Sequence, residues 1–315
     1  MVFWRFMKST KQRDKLAATL EKHVRTLTDL GERSVRRPEA LETAAEFIES
    51  QFKEFGYETI RQTYEAGGIA CSNIEASMRD LGTDRPHLLI GAHYDSAEGT
   101  PGADDNASAI AIMLELANRL KKTTNLPVRF VAFVNEEPPF FQTPLMGSAV
   151  FAARASSRRE NISGMICLES LGIFLSEPGS QILPPQLPKA MGLMPEKTDL
   201  SKGNFVAVIG NEPSKDLMVN FACMMRCHMR GIPLTYAEMP DMELSDHLAF
   251  WAEGFPAVMV TDTAFLRNQH YHLASDTPER LNYLAMTEVL RGLEGALSIH
   301  ATSMASPYPR IQTGA

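Results

Sequence analysis

His93 and Asp95, Asp104 and Asp105, Glu136 and Glu137, Glu169, and His272 are the residues whose types and positions suit metal chemistry. Zinc binds imidazole nitrogen and carboxylate oxygen, and a two-metal hydrolase needs about five such groups together with a base. Singly, each has a structural reading. Asp104-Asp105 could cap a helix, Glu136-Glu137 could be a solvated strand end, and His93 could be a hydrogen-bonded core histidine. Their shared placement argues for chemistry. His93 and Asp95 close the apolar run 87–95, Glu136 and Glu137 close 128–137, and Glu169 closes 164–169. Open α/β sheets bind ligands at the carboxyl ends of their strands. A ligating histidine passes its other ring N–H to a carboxylate. Asp95, two residues beyond His93, is therefore expected to orient that ring rather than to bind metal.

The runs that carry these groups are short, β-rich and apolar on both faces, as strands covered by helices on two sides must be. Further runs lie at 204–209 and 257–262, and 57–64 alternates like a half-exposed strand. Leu16, Leu20, Val24, Leu27 and Leu30 mark an opening helix. Leu41, Ala45, Ile48, Phe52 and Phe55 mark a second, ended by Gly56. Asn106 to Leu120 reads as a buried helix. The expected fold is α/β, a single domain over 1–315 with its core at about 15–300. Its centre is a mostly parallel mixed β-sheet sandwiched by helices. The proline-rich stretch 176–203 predicts a long surface loop of the kind that covers active sites. Asp276-Thr-Pro-Glu279 predicts the start of the C-terminal helix, and 302–315 a frayed tail.

The 315 residues carry 31 basic against 38 acidic side chains, a net charge of −7, which argues against a nucleic-acid partner. No run approaches 18 apolar residues, so no membrane-spanning helix is expected. Val2-Phe3-Trp4 is cut short by Arg5 and Lys8, too soon for a secretory signal. The sequence as written thus predicts a cytoplasmic protein, or a secreted one if a precursor segment precedes it. Cys71, Cys167, Cys223 and Cys227 lack the paired spacing of a zinc ribbon and read as free thiols.

Gly91-Ala-His-Tyr-Asp-Ser96, Pro101-Gly-Ala-Asp-Asp-Asn-Ala-Ser108, Asn135-Glu-Glu137, Ser245-Asp-His247 and Tyr271-His272 follow one another along the chain. On these motifs the chain resembles the zinc aminopeptidases of metallopeptidase family 28, whose zinc-exopeptidase (phosphorylase/hydrolase-like) fold is shared by glutaminyl cyclases. The resemblance covers roughly residues 15–300. It implies that Asp105 bridges two zinc ions, that His93 and Glu169 complete one site, and that Glu137 and His272 complete the other. Glu136 would be the general base, and Asp95 would orient His93. Tyr271-His272, followed by Asp276-Thr277, selects His272 over His270. Cobalt or manganese would suit the same donors. Ser245, Asp246 and His247 are expected either to support the pocket structurally or to contact a peptide or aminoacyl substrate, and Tyr271 to contact it.

The chain departs from the family pattern at three places, one being that no Cys-x-x-x-Cys before the binding loop matches a family disulfide. Glu169 stands where the family usually has aspartate, one methylene shorter. The segment 138–148 is longer than the pattern, bringing Phe140 and Phe141 near the base and suggesting a shaped apolar pocket. The expected activity is a zinc exopeptidase, foremost an aminopeptidase. The alternatives are a one-zinc aminoacyltransferase like the glutaminyl cyclases, a carboxypeptidase or dipeptidase of the same fold, and a metal-free binding module.

Overall fold

A computed structural model describes residues 2–78, 84–121, 127–184, 191–192, 199–239 and 244–305. Its strands are β1 (Glu58–Ala66), β2 (Ile69–Ser77), β3 (His87–His93), β4 (Val128–Phe133), β5 (Ile162–Glu169), β6 (Met191–Gly192), β7 (Val206–Gly210), β8 (Leu234–Glu238) and β9 (Ala257–Thr261). They form one nine-stranded sheet in the order β1-β2-β4-β3-β5-β9-β7-β8-β6. β4, β3, β5 and β9 run parallel at the centre. β1–β2, β2–β4, β7–β9 and β6–β8 are antiparallel, and β7–β8 is parallel.

Alternation along the strands divides the core in two. Leu88, Ile90, Phe130, Ala132, Ile166, Leu168, Val206, Val208, Val258 and Val260 face one helical layer. That layer is built by α1 (Val2–Thr28), α2 (Pro38–Glu54), α3 (Ala109–Leu120), α5 (Lys215–His228) and α7 (Tyr283–Ala305). Leu89, Val131, Phe133, Met165, Cys167, Ala207, Ile209 and Met259 face the other way, against α4 (Gly147–Ser157) and α6 (His247–Ala252). Two short helices cover less than five long ones. On this second face part of the sheet over β7, β8 and β9 instead floors a cleft.

Three sequence expectations change. Pro278–Arg280 forms a separate 3₁₀ turn and α7 starts at Tyr283, because Asp276 spends its carboxylate on the backbone of Asp104 and Asp105 instead of capping. α7 then continues to Ala305, so the helix outlasts the point where fraying was expected, and 306–315 lie outside the described residues. Within 176–203, Met191–Gly192 pairs with β8 as an edge strand. Residues 185–190 and 193–198 lie outside the described residues. Among the described residues, no helix is long and apolar enough to cross a membrane.

Candidate metal centre

His93 ends β3, Glu136 and Glu137 follow β4, Glu169 ends β5, and Asp105 lies in the turn before α3. The parallel centre of the sheet delivers these groups to one edge, and His272 reaches them from the loop after β9. Asp105 joins two groups of potential ligands. Its Oδ1 lies 3.2 Å from His93 Nε2, which is also 3.3 Å from Glu169 Oε2. Its Oδ2 lies 3.1 Å from His272 Nε2, which is also 3.2 Å from Glu137 Oε2. Within each triplet the ligand atoms lie within 4.8 Å of one another. Glu136 stands beside them, 3.8 Å from His93 Nε2.

These residues fit metal ions. Although the nitrogen–oxygen pairs touch, Asp105 Oδ2, Glu137 Oε1 and His272 Nε2 are buried without a properly directed hydrogen-bond partner among the described residues. Such atoms are costly to bury unless something else satisfies them. Four carboxylates, those of Asp105, Glu136, Glu137 and Glu169, also face only two imidazoles, an excess of negative charge that suits cations.

Electrostatics repeat the point. Burial pushes the Glu136 carboxyl well above its ordinary value, with Glu137 and Glu169 adding repulsion and His93 opposing. Burial likewise lifts Glu137 to about 7. For Asp105, burial is outweighed by contacts with His272 and His93, which hold its carboxyl below the usual range. For His272, burial works against charge, but Asp105 and Glu137 raise it to about 10.

The supports of the cluster come from distant parts of the chain. The Asp95 carboxylate accepts the backbone N–H of Glu136 (3.2 Å) and of Glu137 (3.0 Å). It also lies 3.4 Å from His93 Nδ1, while the Asp95 carbonyl lies 3.2 Å from the same nitrogen. Asp95 thus braces the two glutamates as well as the ring. The fully buried Arg33 donates to the carbonyls of Tyr94 and Gly102, pinning the loop between His93 and Asp105. Gly102 has φ +57°, and an added Cβ would stand 2.3 Å from the Asp105 carbonyl oxygen, so only glycine fits this turn.

Glu169 is held by neutral donors. Ser245 Oγ donates to its Oε2 at 2.7 Å, Asn106 Nδ2 to the same oxygen at 3.3 Å, and Ser170 Oγ to Oε1 at 2.8 Å. Of the two roles open to Ser245, the structure shows the supporting one. It is fully buried behind Glu169, where it secures a carboxylate instead of meeting substrate. Asp246 and His247 are likewise fully buried and absent from the cleft wall, His247 edge-on to Trp251. Burial lifts the Asp246 carboxyl to about 7. Tyr271 does line the cleft and stacks on His272, with ring centroids 3.9 Å apart.

Sequence reasoning missed Arg33, Asp262 and the role of Asp276. Asp276 accepts from the backbone of Asp104 and Asp105, and Asp104 in turn accepts from Gly172 N and Asn268 Nδ2. Asp262 accepts the backbone N–H of Ile173 and of Ala264, and its place at the end of an apolar run was the one available signal. Beside the metal cluster opens a cleft of about 930 Å³, continuous with solvent. Phe141, Phe205, Ile209, Met239, Met259 and Phe265 are among its apolar walls. Phe141 of the long segment 138–148 takes part, whereas Phe140 packs into the main core.

An α/β sheet that presents two histidine–carboxylate triplets, joined by one aspartate at its carboxyl edge, offers a donor set that could hold two metal ions. Residues 73–295 match the model of Peptidase family M28, and the chain belongs to that family, in which zinc is typical. It is 40% identical over 288 residues to the uncharacterized protein YfbL of Escherichia coli (strain K12), covering 87% of this chain and 85% of that one. It is 26% identical over 256 residues to a probable leucine aminopeptidase of Arthroderma otae (strain ATCC MYA-4605 / CBS 113480). That match covers 73% of this chain but only 60% of the fungal one. Among solved structures, the LapA aminopeptidase of Legionella pneumophila superposes with a TM-score of 0.70 at 18% identity, over 92% of this chain and 73% of that one. The glutaminyl cyclase of Fimbriiglobus ruber gives 0.65 at 21%, over 90% and 95%. At these identities the two structures share the fold.

Proposed function

We propose that the chain is a two-zinc aminopeptidase, cleaving the N-terminal residue from peptides or aminoacyl compounds. The observation that carries this reading is Asp105, whose two oxygens each meet a separate histidine–glutamate pair. His93, Asp105 and Glu169 would hold one ion, and Asp105, Glu137 and His272 the other. Zinc bound there supplies a lowered water pKa and polarisation of the scissile carbonyl.

The chain's own groups do the rest. Glu136 lines the cleft beside both triplets, 3.8 Å from His93 Nε2, where a carboxylate can serve as general base. It takes the proton of the attacking water and passes it to the leaving amine. Asp95 keeps Glu136 and Glu137 in register through their backbone N–H groups. Tyr271 covers His272 and, with Phe141, dries the mouth of the cleft. The relatives named as leucine aminopeptidases support cleavage at the amino end.

The test uses protein stripped by chelation and reloaded with zinc. Three substrates separate the readings: an aminoacyl coumarin amide, its N-acetylated form, and a peptide beginning with glutamine. Zinc-dependent release from the free-amine substrate alone is expected. Turnover after complete stripping refutes the metal reading, and cyclisation of the glutamine peptide without hydrolysis of the amide refutes the aminopeptidase reading.

A further inference from the structure

The floor of the cleft is a line of residues set by strand register. Glu169 of β5 pairs with Thr261 of β9, Thr261 with Ala207 of β7, and Ala207 with Thr235 of β8. Registered neighbours on adjacent strands share a face, and all four residues line the cleft. At about 4.8 Å per strand, the row runs roughly 14 Å from the Glu169 backbone to the Thr235 backbone. Ala207 lies between the ends, flanked by Ala237 on β8, so the floor is low along its length. The walls beside it are Phe205, Met239 and Met259.

Three threonines line this cleft, and two are occupied by the protein. Thr261 Oγ1 accepts the Thr263 backbone N–H at 2.8 Å, and Thr263 Oγ1 bonds to the Gln181 side chain. Thr235 differs. It is fully buried, and its Oγ1 has no hydrogen-bond partner among the described residues. A hydroxyl in an apolar wall costs free energy unless it is hydrogen-bonded, and valine would fill the same volume without that cost. The unused hydroxyl at the far end of an apolar slot therefore marks the place where a ligand atom completes the bond.

We propose that Thr235 makes the cleft selective for an N-terminal residue whose long apolar side chain ends in a hydrogen-bonding atom, tyrosine ahead of phenylalanine. The proposal rests on the aminopeptidase reading and adds the substrate class to it. Tyrosine carries its hydroxyl at the tip of a rigid apolar body with few rotors to freeze, which matches a slot with one polar point at its end. A site that hydrogen-bonds a substrate hydroxyl discriminates against the analogue without it, because its own polar group is then left unpaired.

The test compares kcat/KM for tyrosyl and phenylalanyl coumarin amides, which share a leaving group, on zinc-loaded wild type, Thr235→Val and Thr235→Ser. Wild type is expected to favour tyrosine by about tenfold or more. Thr235→Val should bring the ratio close to one, and Thr235→Ser should restore the preference. Equal or better use of phenylalanine by wild type overturns the proposal, and so does a ratio that Thr235→Val leaves unchanged. If Thr235→Val does not fold, the wild-type ratio decides alone. Equilibrium binding of tyramine and phenethylamine separates this proposal from the activity. Tighter tyramine binding without hydrolysis of either amide upholds the slot and removes the aminopeptidase reading. Equal binding, or none, overturns the slot.

Discussion

Replacing Ser245 with alanine removes a single hydroxyl, and on the two-zinc reading proposed above one site should notice and the other should not. That hydroxyl donates to Glu169 Oε2 at 2.7 Å in a fully buried setting. A hydrogen bond to a charged group contributes about 1.5–3 kcal/mol, equivalent to roughly 10–150-fold in affinity. Asn106 still reaches the same oxygen at 3.3 Å, and Ser170 still holds Oε1 at 2.8 Å, so the carboxylate is loosened and not released. The expected loss therefore sits in the lower part of the range, about 10–30-fold, in line with the usual cost of removing an outer hydrogen-bond partner of a ligand. It should fall on the site formed by His93, Asp105 and Glu169. The site formed by Asp105, Glu137 and His272 has none of its atoms bonded to Ser245 and should stay within about threefold. The assay is a competition titration of stripped protein with zinc against a chromogenic chelator, resolving two binding steps. Thermal unfolding of the stripped protein monitors the fold independently. Equal weakening of both steps, or of neither, refutes the claim that Ser245 acts through Glu169.

Glu136→Gln is isosteric but cannot accept a proton, so it should bind zinc at the wild-type stoichiometry while kcat falls by about 10²–10⁴. Elemental analysis beside steady-state kinetics checks both halves, and a near-normal kcat would move the base elsewhere. Away from the site, Glu49 on α2 meets Lys53, Arg61 and Thr59. Burial raises its pKa, but these three partners prevail and take it from 4.5 down to about 2. A depressed carboxyl stabilises the fold above its unfolded pKa and loses that contribution as pH falls through the folded one. Glu49→Gln should thus cost about 1–2 kcal/mol at pH 7 after allowance for solvent screening, and the gap from wild type should close between pH 4.5 and pH 2. Urea unfolding across that range measures it, and a gap independent of pH refutes the ion-pair account.

Much of the fold, and the acids and histidines that gather at the sheet's carboxyl edge, were legible because they are written locally. Strands such as β3, β4 and β5 are continuous apolar runs, since helices cover both faces, and each ends where polar groups must emerge. β2 and β8 escaped notice because they mix small, polar and apolar residues, as in Ile-Ala-Cys-Ser-Asn and Leu-Thr-Tyr-Ala-Glu. The start of α7 was misplaced because Asp276-Thr-Pro has the composition of a helix cap, while its carboxylate bonds backbone about 170 residues away.

The sequence by itself determined the chemistry on offer: which strand ends carry acids and histidines, and that their types suit metal ions. Side-chain type and short-range period are properties of a few consecutive residues, and they survive without coordinates. Only the tertiary structure decided how those groups are held and what lies beside them. Ser245 and Glu169 are 76 residues apart, and Arg33 bonds Gly102 across 69. The row from Glu169 to Thr235 exists only because three separate strand pairings bring those residues into line. Register and long-range hydrogen bonds depend on which segments meet after folding, and no local pattern records that.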